Sequence, residues 1–525
     1  MSADVQRRAD RGALKRLSAT SATRLGYNRV MLIRPSRTLT VLLIVLASRG
    51  AFAADQPRWG EQFSRNMVSP EKGLPDSFEK NVKWAAELGS QSYGTPVVAN
   101  GRVLIGTNND RPRDPRHQGD RGVMMCFDEK TGKLLWQLVS PKREDDPYLD
   151  WPKAGMASTP TVEGDRVYTL TNRGEVVCLD LKGMSDGNDG PYKDEGKHMT
   201  PRGGALMEPG PLDADILWCC DLVKEAGIRT HDQVEGSILI DGDLLYVNSC
   251  NGVDNTHRVI RSPDAPTLVV LDKRTGKIVA QDAEHMGPNI FHCAWSSPSL
   301  GVVNGKRTIF FGSDDGNCYA FNALSSLPDE VVALHRVWKF DADPTAPKQN
   351  VHKWVSNRKE SPSVIMGMPV FRDNKIYLTA GGDLWWGKHE GWLKCIDATQ
   401  TGDVTKSAQI WSYPLKKETC CTPAVYDGMV FATDCAGYVH CVDAKTGAPY
   451  WTHKCDGAFW ASPMIADGRL YVGTRFGEFN VFAASKEKKL ISSTQINEPV
   501  SATVTPANGH LYVATMRHLY AVGAN

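Results

Sequence analysis

The sequence predicts an all-β fold, a single eight-bladed β-propeller built from four-stranded antiparallel blades. Three observations predict this fold: a hairpin phrase that occurs eight times, a tight turn that follows most of these hairpins, and a count of eight fourth strands. The chain has 525 residues, of which 41% are hydrophobic and 23% charged, with 47 Gly and 14 Trp. This composition is typical of a globular protein and excludes a disordered chain.

Each copy of the hairpin phrase places two short apolar strands on either side of a tight turn. Alternating β-branched and aromatic residues around a two-residue turn are typical of antiparallel hairpins. The last three turns, at Gly428, Gly468 and Gly509, are 40 and 41 residues apart, which is the length of one propeller blade. The eight turn residues are Gly101, Gly164, Gly242, Gly305, Asn374, Gly428, Gly468 and Gly509.

A third strand follows most hairpins and ends in an Asp and a Thr-Gly turn, as in CFDEKTGKLLW from Cys126. A Trp eight positions after the Asp begins the fourth strand, and we expect it to pack between neighbouring blades. Because Cys alternates with Ala and Val two positions before the Asp, we expect these Cys to be unpaired packing residues. The residues at that position are Cys126, Cys178, Val270, Ala320, Cys395, Cys441, Ala483 and Ala521.

The fourth strands predict a closed ring. The first of them begins at Val82, before any hairpin, whereas the last hairpin, near Leu519, has no fourth strand after it. If the N-terminal strand completes the final blade, both observations are explained and closure removes the exposed edge of an open array. One propeller then spans residues 82–525, and residues 54–81 form a segment that precedes it.

The first 53 residues are predicted to be a Sec-type signal peptide. The apolar stretch between Arg37 and Arg49 is too short for an ordinary transmembrane helix. It is followed by a small-x-small cleavage sequence that ends at Ala53. We therefore expect export to the periplasm or the cell exterior, with an uncleaved membrane anchor as the alternative. Met31 opens a signal of ordinary proportions, and we expect translation to begin there.

The charge distribution and the cysteines exclude two further classes of partner. Residues 1–53 carry a net charge of +8, so the remainder of the chain carries −7, which argues against nucleic acid. Because the first cysteine is Cys126, a lipid anchor at the cleavage site is excluded.

Most of the long loops fall on one face of the predicted ring, since loops after second and fourth strands share a face. We expect this face to bind a protein or a small ligand. The alternative is that its loops are exposed to solvent and have no binding role. The loops are 108–121, 140–156, 223–234, 249–266, 282–294, 341–366 and 380–391. They hold His117, His231, His257, His285, His292, His352 and His389. The long loop 183–215 lies on the other face, and we interpret it as a turn-rich surface loop.

The candidate site residues lie where inner strands begin or just beyond second strands. Residues at the starts of inner strands are expected to line the channel; these are Glu235, Trp295, Cys420, Cys421 and Trp460. The expected rim residues are Asn251, Asp254, His292, Asp314, Asp383 and His389. Two interpretations of Cys420-Cys421 stay open, simple packing and a functional vicinal disulfide. Cys219-Cys220 is interpreted as packing.

The hairpins, together with the Cys/Ala-x-Asp-x-x-Thr-Gly-x-x-x-Trp pattern, resemble the pyrroloquinoline-quinone (PQQ) repeat across about residues 82–522. In one branch of that family, quinoprotein dehydrogenases of alcohols and sugars bind PQQ and calcium in the central channel. The resemblance implies Cys420-Cys421 with Trp295 or Trp460 against the quinone, Glu235 and Asn251 on calcium, and Asp314 or Asp383 as base.

The other branch contains non-catalytic scaffolds, among them a propeller lipoprotein of outer-membrane barrel assembly. The dehydrogenases carry their Cys pair in an early blade, whereas Cys420-Cys421 lies in the sixth. We therefore expect an exported PQQ-like propeller that binds a ligand or protein through its long-loop face, without an assigned cofactor. A PQQ- and calcium-dependent dehydrogenase that oxidises an alcohol or a sugar is the alternative.

Overall fold

The structure is a computed structural model and describes residues 54–79, 81–143 and 151–524. The predicted signal peptide lies outside these residues, so it stays a prediction. The described chain forms eight antiparallel sheets, which confirms the predicted eight-bladed propeller. Within the described residues, there is no helix both long and apolar enough to span a membrane.

The four strands of every blade run from an innermost to an outermost strand, in that order. Blades 1 to 4 are Val97–Ala99, Arg102–Asn108, Arg121–Asp128 and Leu134–Pro141; Thr161–Glu163, Arg166–Leu170, Glu175–Asp180 and Ile216–Asp221; Leu239–Asp241, Leu244–Asn248, Leu268–Asp272 and Ile278–Gln281; Ser299–Val303, Lys306–Gly312, Asn317–Asn322 and Arg336–Asp341. Blades 5 to 8 are Val370–Arg372, Lys375–Gly381, Gly391–Asp397 and Gln409–Pro414; Ala424–Tyr426, Met429–Thr433, Tyr438–Asp443 and Pro449–Lys454; Met464–Ala466, Arg469–Gly473, Glu478–Ala483 and Leu490–Gln495; Thr505–Ala507, His510–Ala514, His518–Gly523 and Val82–Glu87.

A few short elements decorate the ring. Val332–Ala333 and Gly402–Asp403 add parallel to the outer strands of blades 3 and 4. The α-helices are Glu195–Met199 and Leu222–Glu225, and the 3-10 helices are Gly183–Asp186, Gly287–Asn289 and Val351–Trp354.

The first-to-second strand turns explain the Asn-Gly and Asp-Gly pairs of the sequence. In six blades both central residues of the turn have positive φ, as a type I′ turn requires. Asn and Asp tolerate this left-handed backbone better than most residues, and Gly adopts it without steric cost. The pairs are Asn100-Gly101, Asn304-Gly305, Asp373-Asn374, Asp427-Gly428, Asp467-Gly468 and Asn508-Gly509.

The fourth-strand Trp residues join neighbouring blades, as predicted. Each indole N–H donates to a backbone carbonyl of the next blade over 2.9–3.1 Å, for example from Trp136 to Leu181. The same rings cover turn glycines, where an added Cβ at Gly132 would lie 2.6 Å from the Trp84 ring. The other donor–carbonyl pairs are Trp84–Glu129, Trp218–Lys273, Trp338–Ala398, Trp411–Ala444 and Trp451–Ser485.

The strand register shows why the third strand carries a small residue. Cys126 pairs directly with Trp136, and the other blades with a fourth-strand Trp place Cys or Ala opposite it. The four Cys expected at this position are buried free thiols, as predicted. In blade 7 the assignment of Ala483 is wrong, because Val481 pairs with Ser492 there. The predicted position is counted back from the turn Asp, and blade 7 has no Asp at the end of its third strand.

The N-terminal strand closes the ring. Val82–Glu87 pairs antiparallel with His518–Gly523 and completes blade 8. Its Trp84 then contacts the turn of blade 1, so the last blade joins the first in the same way as the other Trp-bearing blades. The predicted closure is confirmed.

Residues 54–79 run across the end of the channel where the tight turns lie. Backbone hydrogen bonds link this segment to inner strands of several blades, for example Val98 to Gln56. The Arg65 side chain is fully buried and donates to the carbonyl oxygens of Pro298 and Ser237. Burial lowers the pKa of Arg65 to about 9. The segment therefore closes the channel at this end.

Replacing Gly276 tests the contact between a Trp and the neighbouring turn. Gly276 has φ +72°, and an added Cβ would overlap the Trp218 ring. Gly242→Ala, at φ +61° with nothing within 4 Å, carries only the left-handed strain of about 1–2 kcal/mol. Gly276→Ala should lose about 1–3 kcal/mol more, measured from urea unfolding midpoints. Equal losses at both positions would contradict this role for the Trp ring.

Candidate functional site

The channel contains a small cavity near the long-loop face. Its free volume is about 50 Å³, enough for roughly four water molecules. Four of the five residues predicted to line the channel meet here: Glu235, Trp295, Cys420 and Trp460. The other wall residues were not predicted from the sequence; they are Trp59, Tyr93, Thr95, Gln233, Met366, Leu384, Trp385, Ser501 and Thr503.

Three Trp rings form most of the aromatic wall. The Trp385 ring is centred 5.3 Å from that of Trp295 and 5.6 Å from that of Trp460, both in edge-on geometry. The Trp295 indole N–H donates to the Gln233 carbonyl over 3.0 Å, which fixes this ring. The Arg475 guanidinium stacks on Trp460, with its Cζ 4.2 Å from the ring centre.

Glu235 places a carboxyl group beside these rings. It accepts a hydrogen bond from Gln233 Nε2 over 3.0 Å, and within the described part of the chain it forms no ion pair. Burial raises the pKa of Glu235 to about 7, since the charged form loses hydration without gaining a cationic partner. The cavity therefore offers an acidic group poised near neutrality.

The vicinal cysteines occupy two different environments. Cys420 lines the cavity, whereas Cys421 is buried behind it, with its Sγ 3.3 Å from the Ala461 carbonyl oxygen. Both are free thiols in the structure. The hydrogen bond with Cys421 and burial together raise the pKa of Cys420.

Three histidines and an aspartate meet behind the wall formed by Trp295 and Trp385. His231 Nε2 lies 2.9 Å from His257 Nε2 and 3.0 Å from Asp232 Oδ1, and His292 Nε2 lies 3.2 Å from Asp232 Oδ2. One ligand atom from each of these four residues lies within 4.8 Å of all the others. Nitrogen and oxygen donors this close together are able to share a metal ion.

Long loops of blades 2, 3 and 4 bring these four residues together. His231 and Asp232 lie in the link from blade 2 to blade 3, and His257 follows the second strand of blade 3. His292 lies in the link from blade 3 to blade 4. The sequence predicted that His231, His257 and His292 lie on this face but gave no reason to group them with one another or with Asp232.

Asp383 and Asp314 hold His292 in place. Asp383 Oδ2 contacts His292 Nδ1 over 3.0 Å, and Asp383 Oδ1 accepts the backbone N–H groups of Trp385 and Trp386. The backbone N–H of His292 donates to Asp314 Oδ2 over 2.6 Å. The two carboxylates named as alternative bases are therefore both buried and directed at His292.

Burial and the neighbouring carboxylates set the protonation of the histidines. Burial lowers the pKa of His231 to about 3. Burial also opposes the charged form of His292, but the carboxylates of Asp383 and Asp232 outweigh it and raise the pKa of His292 to about 10. Burial and the nearby Asp383 raise the pKa of Asp314 well above its usual range.

The remaining predicted rim residues have local roles. Asn251 accepts from the Arg229 N–H and donates to the Ser262 carbonyl, so its amide braces the surrounding loops. The Asp254 carboxylate accepts from Thr256 and closes its own turn. His389 Nδ1 contacts Glu418 over 3.1 Å, and its side chain is 44% exposed.

Two further groups of possible ligands are present on other parts of the ring. Glu175, His198 and Cys219 form one, in which His198 Nε2 lies 2.9 Å from the carboxylate of Glu175, itself paired with Arg173. Asp114, His117 and Asp213 form the other, where Arg116 pairs with both carboxylates. In each group an arginine already neutralises the acid, which accounts for the cluster without a metal.

Comparison with known proteins identifies the family. The family model described as outer membrane protein assembly factor BamB matches residues 76–190, 389–489 and 435–524. The dehydrogenase subunit of alcohol dehydrogenase (quinone) from Komagataeibacter europaeus is 27% identical over 453 residues, covering 82% of this chain and 53% of that protein. The chain is a β-propeller of the PQQ-like repeat family.

Other relatives of this PQQ-like propeller carry related names. Quinohemoprotein alcohol dehydrogenase ADH IIB from Pseudomonas putida is 23% identical over 418 residues, covering 73% of this chain and 53% of that protein. The crystal structure of BamB from Moraxella catarrhalis aligns with a TM-score of 0.49 at 14% identity, covering 84% of this chain and 97% of that chain. The PQQ-like propeller spans about half the length of the curated relatives it matches.

The residues around the cavity do not fit a quinone with calcium. A site for a cofactor-sized ligand usually has about 300–1,000 Å³, whereas Trp385 and its neighbours leave about 50 Å³ in this channel. Calcium needs six to eight oxygen ligands, yet the amide of Asn251 is engaged by loop backbone and Asp383 is engaged by His292.

The raised pKa of Glu235 predicts a pH-dependent cost to stability. The folded state holds this proton up to about pH 7 and the unfolded state only to about 4.5, so stability falls as pH rises between these values. Glu235→Gln should gain about 1–3 kcal/mol relative to the parent protein on going from pH 5 to pH 8. Urea unfolding at both pH values measures this gain.

Glu360→Gln is the control for this prediction, since it removes a carboxyl at an exposed loop position. It should leave the difference between the two pH values unchanged. A Glu235→Gln protein with the parent's pH dependence would show that Glu235 is ionised at little cost in the cavity.

Proposed function

We propose that this PQQ-like propeller is a binding protein, which takes a compact cationic group of its ligand into the aromatic cavity on the long-loop face. The observation that carries the proposal is Glu235, a carboxyl without an ion pair in the described chain, beside the Trp295 and Trp385 rings; the Trp460 ring already carries the Arg475 guanidinium. Tryptophan faces attract cations, and the attraction grows when water is excluded.

The shape of the channel supports a binding role. Trp59, from the segment that crosses the channel, lines the cavity and is held by a hydrogen bond from its indole N–H to Thr503 Oγ1 over 3.2 Å. With that end blocked, the ligand enters from the long-loop face. The space suits a methylated ammonium group better than a three-ring quinone.

The dehydrogenase alternative rests on the names of the relatives and on the Cys420-Cys421 pair beside the Trp rings. Against it stand the size of the cavity and the engagement of Asn251, Asp314 and Asp383 by local contacts. We therefore propose that PQQ-dependent oxidation of alcohols or sugars is not the activity of this chain. Export to the periplasm or cell exterior, inferred from residues 1–53, belongs to the same proposal.

Tetramethylammonium is the probe for the cavity. Added to metal-free protein at pH 8 and constant ionic strength, it should quench Trp fluorescence to saturation, whereas tert-butanol, similar in shape but neutral, should not. Glu235→Gln should weaken the binding about tenfold or more, since it removes the charge. Affinity should also rise about tenfold from pH 6 to pH 8, because Glu235 ionises near pH 7.

Glu360→Gln should bind tetramethylammonium like the parent protein, as its side chain lies on an exposed loop. Equal binding of the neutral and the charged probe would contradict a cation site, and so would an unchanged affinity in Glu235→Gln.

A parallel titration with PQQ tests the alternative. With or without calcium, micromolar PQQ should cause no saturable quenching and no dye-linked oxidation of a panel of alcohols and sugars. Calcium-dependent saturation near one equivalent, with turnover, would establish the dehydrogenase instead.

A further inference from the structure

We infer that His231, Asp232, His257 and His292 form a binding site for one late transition metal ion of the zinc or copper class. The inference rests on the proposed function and deepens it, because the site lies on the same face. A bound ion would cross-link the loops around the mouth of the cavity. Calcium and magnesium are not candidates, since both prefer oxygen ligands and three of these four donors are imidazoles.

Neighbouring donors are about as close together as in a bound site, and one ligand atom of each residue lies within 4.8 Å of the others. Ligands at about 2.0–2.1 Å from a tetrahedral zinc ion lie roughly 3.3 Å apart. The observed separations are 2.9 Å between the His231 and His257 Nε2 atoms, and 3.0 Å and 3.2 Å from Asp232 to His231 and His292. Small movements of loop side chains would therefore admit the ion.

Asp383 orients His292 in the way that metal sites orient their histidines. A metal-bound imidazole usually donates its other ring N–H to a carboxylate, which leaves the free nitrogen lone pair facing the ion. His292 Nδ1 contacts Asp383 over 3.0 Å, and two backbone N–H groups fix Asp383 in turn. Asp383 is thus a positioning residue, and it reaches this histidine from blade 5.

The Nε2 atom of His292 faces the other three donors inside the cluster. The side chain is fully buried, and this nitrogen lies 3.2 Å from Asp232 Oδ2, which pairs with the imidazole and favours its protonated form. A metal ion at this position would displace the Nε2 proton, because an imidazole binds a metal only through an unprotonated nitrogen.

The surroundings favour a site that is closed but accessible. Four protein ligands complete a tetrahedral shell, which is typical of structural metal sites and leaves no position for a substrate. His257 is half-buried, and its ring packs on Trp386 with centres 4.2 Å apart, so an ion is able to enter past this loop. Bound metal would then tie the loops of blades 2, 3 and 4 beside Trp295 and Trp385.

Cobalt is the probe for the site, because its visible spectrum reports tetrahedral geometry and its near-ultraviolet spectrum reports thiolate ligands. The full chain, stripped with a chelator, should bind one Co²⁺ with a tetrahedral visible band and without a thiolate charge-transfer band. Zn²⁺ should displace it. The spectral distinction is needed because the described chain holds thirteen free cysteines.

Two variants and one control test the ligands. His257→Ala should weaken Co²⁺ binding about a hundredfold or more, and Asp383→Asn about ten- to a hundredfold. His285→Ala is the matched control, since His285 lies on the same face, shares the left-handed backbone of His257 and is 62% exposed beside Asp264. It should bind Co²⁺ like the parent protein.

Three results would overturn the inference: a thiolate band, equal losses in His257→Ala and His285→Ala, or no binding at micromolar Co²⁺. Asp383→Asn keeps the test decisive if His257→Ala does not fold. If tetramethylammonium still binds the metal-free protein, failure of the metal site leaves the proposed function standing. Loss of tetramethylammonium binding alone would reject the proposed function instead.

Discussion

The contact between each fourth-strand Trp and the turn of the next blade holds the ring together. A blade of four short strands has two apolar faces, and neither is covered until a neighbour packs against it. The Trp fills this gap, its N–H is paired with a carbonyl, and turn glycines such as Gly132 and Gly276 leave room for the ring. Small residues such as Cys126 follow from the same contact, since they lie opposite the Trp within the sheet.

Two blades lack this Trp and are joined in other ways. In blade 3 the Tyr246 hydroxyl accepts the backbone N–H of Leu324 from blade 4. In blade 7 the Tyr471 hydroxyl donates to the Pro75 carbonyl, and Phe78 packs on Phe479 and Tyr520. The segment before the propeller therefore fills the gap between blades 7 and 8, besides crossing the channel.

The fold was predictable from sequence because the repeat fixes the register of every blade except blade 7, where the turn Asp that marks the third strand is missing. The same register predicted that Glu235, Trp295, Cys420 and Trp460 would face the channel, since each lies shortly before an inner strand begins. Trp385 and the cluster of His231, His257 and His292 were not predictable in this way. They lie in insertions without a repeat, and their meeting depends on how separate loops fold over the ring.

Ring closure also has a consequence for the order of folding. The pair that completes blade 8 joins Val82–Glu87 to His518–Gly523, near opposite ends of the chain. Closing a loop of that length costs about 2 kcal/mol more in chain entropy than closing one of about 40 residues. Blades with local hairpins are thus able to form during synthesis. The ring closes only after the third strand of blade 8, near the end of the chain, is available. Until then the molecule is an open arc, with the edge of its last sheet bare.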